Sequence, residues 1–129
     1  MFCKSHSYCG HLILSVCRSH YPEKLEKDLI DHFRVNAVGP IHLFNAFMPL
    51  ILQGRSKKVI AISTGNADPD LVRNFDVYQG VIYTISKAAL NMAVSKFSAV
   101  YRNQGVLCLS ICPGSVATGN MDWIGKLTS

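Results

Sequence analysis

Apolar and polar positions along the chain follow two rhythms separated by clear breakers. From about Pro22 to about Gln53, the residues Ile30, Phe33, Ala37, Ile41, Phe44 and Met48 recur every three or four positions. That spacing lines one face of an α-helix. Pro22 suits a first-turn position, and Glu23 and Glu26 bring negative charge to the positive end of the helix dipole. One long helix is expected, kinked near Asn36, because Gly39-Pro40 removes a backbone donor from its middle and frees a carbonyl for a water or a ligand. After Gly54 and three basic residues comes Val59-Ile60-Ala61-Ile62, a continuous run of β-formers suited to a strand buried on both faces. It ends in the polar turn Ser63-Thr64-Gly65.

Residues 66 to 80 mix Asn, Asp, Pro and Gly without a sustained period and read as a loop. Helical spacing returns from about Val81 to Tyr101, with Ile85, Ala89, Met92, Ala93, Phe97 and Val100 on the expected packing face, and Asn103-Gln104-Gly105 stops it. Val106 to Cys112 reads as a second buried strand, broken by Pro113-Gly114, and the last fifteen residues have no regular pattern. Helix, strand, helix, strand, with each strand apolar throughout, means parallel strands joined by a right-handed helical crossover. The expected class is a layered α/β architecture, in which ligands collect outside the carboxyl ends of the strands.

Composition narrows the function. The 129 residues suffice for one domain and one moderate core. Apolar residues make up 49% and charged residues 16%, which excludes a disordered polymer. The longest uninterrupted apolar runs are far below the roughly 20 residues that cross a bilayer, so no membrane span is expected. The net charge is +5, but the basic residues are scattered singly apart from Lys57-Lys58, without interleaved aromatics, and no nucleic-acid partner is expected. The amino terminus has no long apolar stretch with a small-residue cleavage site and reads as no secretory signal. Five cysteines are an odd number, and Cys108 and Cys112 look like small core hydrophobes, so a reduced cytoplasmic setting is expected.

Candidate chemistry gathers at the two strand ends. Tyr83 and Lys87 are four apart at the start of a helix, so both side chains lie on one face and reach the same point. A phenol titrates near 10 in isolation, and an adjacent ammonium favours its ionised form. The pair suits general acid/base work on an alcohol or a ketone. The hydroxyls of Ser63 and Thr64 end the neighbouring strand, where they can hold a substrate oxygen against that phenol. A Tyr with a Lys four later recurs by chance; the helix start, the small neighbours in Tyr83-Thr84-Ile85-Ser86-Lys87-Ala88-Ala89 and the two strand-end turns give the spacing its weight.

Together, four segments resemble the later motifs of the short-chain dehydrogenase/reductase family, in the same order. They are Asn36 within Arg34-Val35-Asn36-Ala37-Val38-Gly39, the strand end Ile62-Ser63-Thr64-Gly65, the pentad from Tyr83 to Lys87, and Pro113-Gly114-Ser115-Val116-Ala117-Thr118. The resemblance covers about Tyr21 to Thr118, and the segments are most similar to carbonyl reductases of the fungal and bacterial C-factor type. It implies a partial Rossmann-like, doubly wound parallel sheet and an NAD(P)-dependent oxidoreductase that moves hydride between a nicotinamide and a carbonyl or secondary alcohol. By the same resemblance Tyr83 is the catalytic acid/base, and Lys87 lowers its pKa and hydrogen-bonds the nicotinamide ribose. Asn36 holds the water that links Lys87 to solvent. Thr64 orients the substrate carbonyl, with Ser63 in reserve. Pro113, Gly114, Val116 and Thr118, together with Tyr83, Lys87 and Asn36, line the cofactor, which is NAD or NADP with NADP favoured. Members of the family also pair through the two long helices, so a homodimer is expected.

The chain departs from the pattern at both ends. It lacks the Gly-x-x-x-Gly-x-Gly turn that cradles a dinucleotide diphosphate at a helix start. In place of an Asn-Asn-Ala-Gly segment it has the stretch from Cys9 to Cys17, a makeshift strand at best. The expected organisation is an atypical extension over residues 1–20 and the catalytic half of a reductase domain over residues 21–129, truncated and without the first βαβ units. Such a fragment is expected to be marginally stable and inactive by itself, since the remaining contacts must offset the entropy of holding a dinucleotide. The alternative is a noncatalytic remnant that acts by association of its helix pair. Cys3, His6, Cys9 and His11 have zinc-ligand chemistry, but the close Cys9-x-His11 spacing is unusual for zinc fingers and no metal is expected, with a small zinc-binding module as a further alternative. His32 and His42 read as solvated or packing residues. Trp123 reads as an ordinary aromatic, with capping of the substrate mouth as the functional alternative.

Overall fold

The structure, a computed structural model, describes residues 22–114. Its first feature is an unbroken helical rod in three parts. Helix α1 spans Pro22–Phe33, a π-helical turn covers Arg34–Val38, and helix α2 runs Gly39–Gln53. The expected kink at Asn36 is this π turn: the Gly39 amide reaches back five residues to the Arg34 carbonyl, and Pro40 has no N–H with which to close the next bond. From Glu23 to Gln53 the rod is 31 residues long, and its most apolar window has a mean hydropathy of 1.4. By length and composition alone that is enough to cross a membrane, although Asn36, His42 and Asn45 interrupt every run of consecutive apolar residues. Ala37 and Met48 are nevertheless buried within the folded domain.

Strand β1, Lys58–Ile62, follows, then a 3-10 turn at Gly65–Ala67 and a short helix α3, Pro69–Asn74. Residues 66 to 80 are thus only partly loop. Asp68 caps α3 by accepting from the Asp70 and Leu71 amides at 2.8 and 3.2 Å, and Pro69 occupies the first turn. Six residues are too few to establish a helical period, so the cap and the proline were the only available signals.

Helix α4 covers Val81–Tyr101, as the spacing predicts. It begins after Gly80, whose φ of +67° lies in the left-handed region that favours glycine. It tightens into a 3-10 turn, Arg102–Gln104, and ends at Gly105, φ +78°. Strand β2, Leu107–Ile111, pairs parallel to β1, with Val59 opposite Cys108 and Ala61 opposite Ser110. The Ser63 amide extends the ladder to the Ile111 carbonyl at 2.7 Å. Because β1 and β2 are parallel, the chain must return to the starting end between them, and α4 makes that crossover.

The core lies between the sheet and helices α2 and α4. Met48, Val59, Ala61, Leu90, Val94, Val106 and Cys108 are buried together, with Phe44, Ile51, Leu52, Phe97 and Tyr101 packed around them. The Phe44 and Phe97 rings meet edge to face at 5.3 Å. Two expectations about burial need correction. Each strand buries one face only: Val59, Ala61 and Cys108 point inward, while Ile60, Ile62, Leu107, Leu109 and Ile111 are exposed. An apolar run cannot report how many sides are covered, and among the described residues helices cover one. On α4 the buried stripe is Ser86, Leu90 and Val94, and Ile85, Met92 and Val100 face outward. The helix is apolar nearly all round, so periodicity alone misplaced the packing face in part: Phe97 packs on the core as expected, but Ile85, Met92 and Val100 do not. Cys108 is a core residue as expected; Cys112 is exposed.

Candidate active site

Three of the expected site residues, Tyr83, Lys87 and Asn36, meet at the first two turns of α4 beside the carboxyl end of β1. Tyr83 stands in the first turn of α4 and is 42% exposed. Lys87, one turn later, donates from Nζ to the Ile62 carbonyl oxygen at 2.9 Å, which fastens the helix to the last residue of β1. The same ammonium lies 5.7 Å from the centre of the Tyr83 ring, within the range of a cation–π contact. Asn36, fifty residues away in sequence, reaches the helix from the π turn: its Nδ2 donates to Ser86 Oγ at 3.0 Å. Ser86 Oγ in turn donates to the Tyr83 carbonyl at 2.6 Å. The kink thus serves to carry a side chain across to the Tyr83 helix.

The two hydroxyls at the end of β1 have different surroundings. Alternation along the strand turns Ser63 inward, where it is 5% exposed and its Oγ has no partner. Thr64 is half-buried and caps the 3-10 turn, its Oγ1 accepting from the Asn66 amide at 3.4 Å. That bond is long, and the hydroxyl proton stays available. Pro113 and Gly114 lie exposed beyond β2, with Gly114 at φ +73° and open space around it. Val116, Thr118, Trp123 and the cluster of Cys3, His6, Cys9 and His11 fall outside the described residues.

A cleft of about 460 Å³ opens beside Tyr83, lined by His32, Tyr78, Gln79, Gly80 and the first turn of α4. Tyr78 and Gln79 had no sequence signal, because they lie in a segment without period. His32 sits at the end of α1, its Nδ1 2.8 Å from the Asp28 carbonyl. His42 is exposed. Ser86 is the other residue the pattern hides, since a serine between two chemically conspicuous side chains reads as filler.

The sequence is similar to that of known proteins. Residues 16–126 fit the sequence model described as short chain dehydrogenase. The chain belongs to the short-chain dehydrogenase/reductase family. It is 52% identical over 99 residues to the short chain dehydrogenase virK of Hypocrea virens, covering 77% of this chain and 36% of that protein. It is 49% identical over 100 residues to the short-chain dehydrogenase/reductase iacC of Pestalotiopsis fici, covering 78% and 37%. An uncharacterized oxidoreductase of Schizosaccharomyces pombe is 33% identical over 118 residues, covering 88% and 45%. The chain therefore spans little more than a third of the first two relatives, and the two parallel strands with their helices are a truncated part of the family's α/β fold.

Proposed function

We propose that this chain is the catalytic half of an NAD(P)-dependent reductase acting on a small carbonyl compound or the corresponding secondary alcohol. The observation that carries this reading is the Lys87 ammonium, bonded to the end of β1 and poised over the Tyr83 ring. In the reductive direction a nicotinamide cofactor, held at its ribose by Lys87, would supply the hydride that the carbonyl carbon accepts. Tyr83 gives its phenolic proton to the carbonyl oxygen, which becomes the alcohol hydroxyl. Lys87, a fixed positive charge beside the phenol, favours the phenolate left behind. Thr64, the more accessible of the two hydroxyls, donates to the same carbonyl oxygen, and Ser63 is the reserve. Asn36, bonded to Ser86 from the kink, is the residue the family resemblance assigns to the water that links Lys87 to solvent. The cleft beside Tyr83 receives the substrate.

The residues present fit the nicotinamide end of the cofactor. Lys87 offers an accessible ammonium for ribose hydroxyls, and open space around Gly114 admits a close approach. The family resemblance assigns Val116 and Thr118 to the same end and slightly favours NADP over NAD. The diphosphate end has no counterpart, because the chain carries no Gly-x-x-x-Gly-x-Gly turn. On this reading the chain by itself does not turn over, its setting is cytoplasmic, and copies pair through the two long helices. Exposed Leu43, Phe47, Ile85 and Met92 on those helices also favour a second reading, a noncatalytic remnant that associates with a longer relative. Titration with NADPH and with NADH separates the two. Enhanced nicotinamide fluorescence at micromolar cofactor supports the reductase half, and no enhancement overturns it in favour of the remnant.

A further inference from the structure

Ser86 is the most deeply buried polar residue among those described, only 1% exposed. Its hydroxyl has one proton to give and two lone pairs to share. The proton goes to the Tyr83 carbonyl at 2.6 Å, and a lone pair takes the Asn36 Nδ2–H at 3.0 Å. A serine that bonds back to a carbonyl in its own helix is ordinary. A serine that at the same time accepts from a side chain fifty residues distant joins two elements. The joint falls where α4 is least restrained, since the helix begins at a left-handed glycine without a side-chain cap. Tyr83 sits in that turn, and the direction of its phenol follows the backbone there.

We propose that Ser86 is a positioning residue: its hydroxyl locks the first turn of α4 to the π turn of Asn36 and so sets how the Tyr83 phenol and the Lys87 ammonium face each other. The inference rests on the reading of Tyr83 and Lys87 as the catalytic pair. Ser86 touches neither substrate nor cofactor and acts through the Tyr83 backbone. Placement of this kind matters because a displacement of about 1 Å at a reacting group costs on the order of a hundredfold in rate.

The test is made by NMR on the whole chain and does not depend on turnover or cofactor binding, so its failure is distinct from failure of the reductase reading. In the unmutated chain, the Tyr83 ring and the Lys87 ε-methylene give a nuclear Overhauser contact. In folded Ser86→Ala that contact is lost while contacts between Phe44 and Phe97 in the core remain. A retained Tyr83–Lys87 contact in folded Ser86→Ala overturns the proposal. Where the variant does not fold, the unmutated chain decides. The Asn36 carboxamide protons then exchange with solvent at least about tenfold more slowly than those of exposed Asn74 and Asn103. Equal exchange at the three sites overturns the proposal.

Discussion

Lys87 Nζ holds the carbonyl oxygen of Ile62 at 2.9 Å. The bond joins the second turn of α4 to the last residue of β1. A lysine chosen for its charge is therefore also a tether between helix and sheet, and its two roles separate by substitution.

Lys87→Met keeps the length of the side chain and removes the donor. The loss is expected to cost about 0.5–1.5 kcal/mol, towards the lower end because the bond is accessible to water. Urea unfolding monitored by circular dichroism measures it. The same variant is expected to abolish the rise in nicotinamide fluorescence, a larger effect than the small change in stability explains.

Met48 anchors the helical rod in the core at 2% exposure, whereas Leu50, two residues on, is 63% exposed. Met48→Ala is expected to destabilise by about 2–5 kcal/mol, enough to unfold a marginal chain. Leu50→Ala stays within about 0.5 kcal/mol. Denaturation midpoints of the two variants, compared with the unmutated chain, test the contrast.

Ile60 and Leu109 are neighbours across the strand pair on the face of the sheet that no described helix covers, 55% and 43% exposed. An apolar face of this kind next to free strand edges promotes association. The double variant Ile60→Lys, Leu109→Glu places opposite charges side by side. It is expected to lower light scattering at high concentration while stability changes by less than about 0.5 kcal/mol. A large loss of stability would mean that this face is covered in the folded chain.

The two described cysteines differ in reactivity. Cys112 is exposed and Cys108 is 5% exposed, so maleimide at neutral pH is expected to label Cys112 quickly and Cys108 only on unfolding, as read by peptide mass spectrometry. Burial pushes the Cys108 thiol above its ordinary value of 9.0. The folded state then holds a proton that the unfolded state releases. The corresponding stability is fully present below the ordinary value and is lost as pH climbs from there through the raised value. Cys108→Ala removes this contribution, and its alkaline unfolding curve is expected to be flatter than that of the unmutated chain.

Local signals made parts of this fold readable from residue types. Gly80 and Gly105 bracket α4, and both adopt positive φ, so the punctuation and the helix limits agree. Gly39-Pro40 correctly located the irregularity in the rod, although only the structure identifies it as a π turn. The pairing of Tyr83 with Lys87 followed from helical geometry alone. What stayed hidden depends on three-dimensional neighbours. The bond from Asn36 to Ser86 spans fifty residues and has no local signature. The inward face of α4 was misjudged because Ile85 and Met92 are more apolar than Ser86, yet a small hydroxyl fits against the π turn where a large side chain would not. The half-covered strands were misread because Ile60 and Leu109 are suited to burial whether or not anything lies over them.

The five-residue turn at Arg34–Val38 winds the rod less tightly than the segments on either side. Winding the same five residues as ordinary α-helix would rotate everything beyond them by roughly 90° relative to α1. Met48 would swing out of the core and Asn36 would lose its aim at α4. The extra residue acts as a phase correction: it lets one continuous rod serve both as a packing surface and as a brace for the start of α4, at angular positions a uniform helix could not satisfy together.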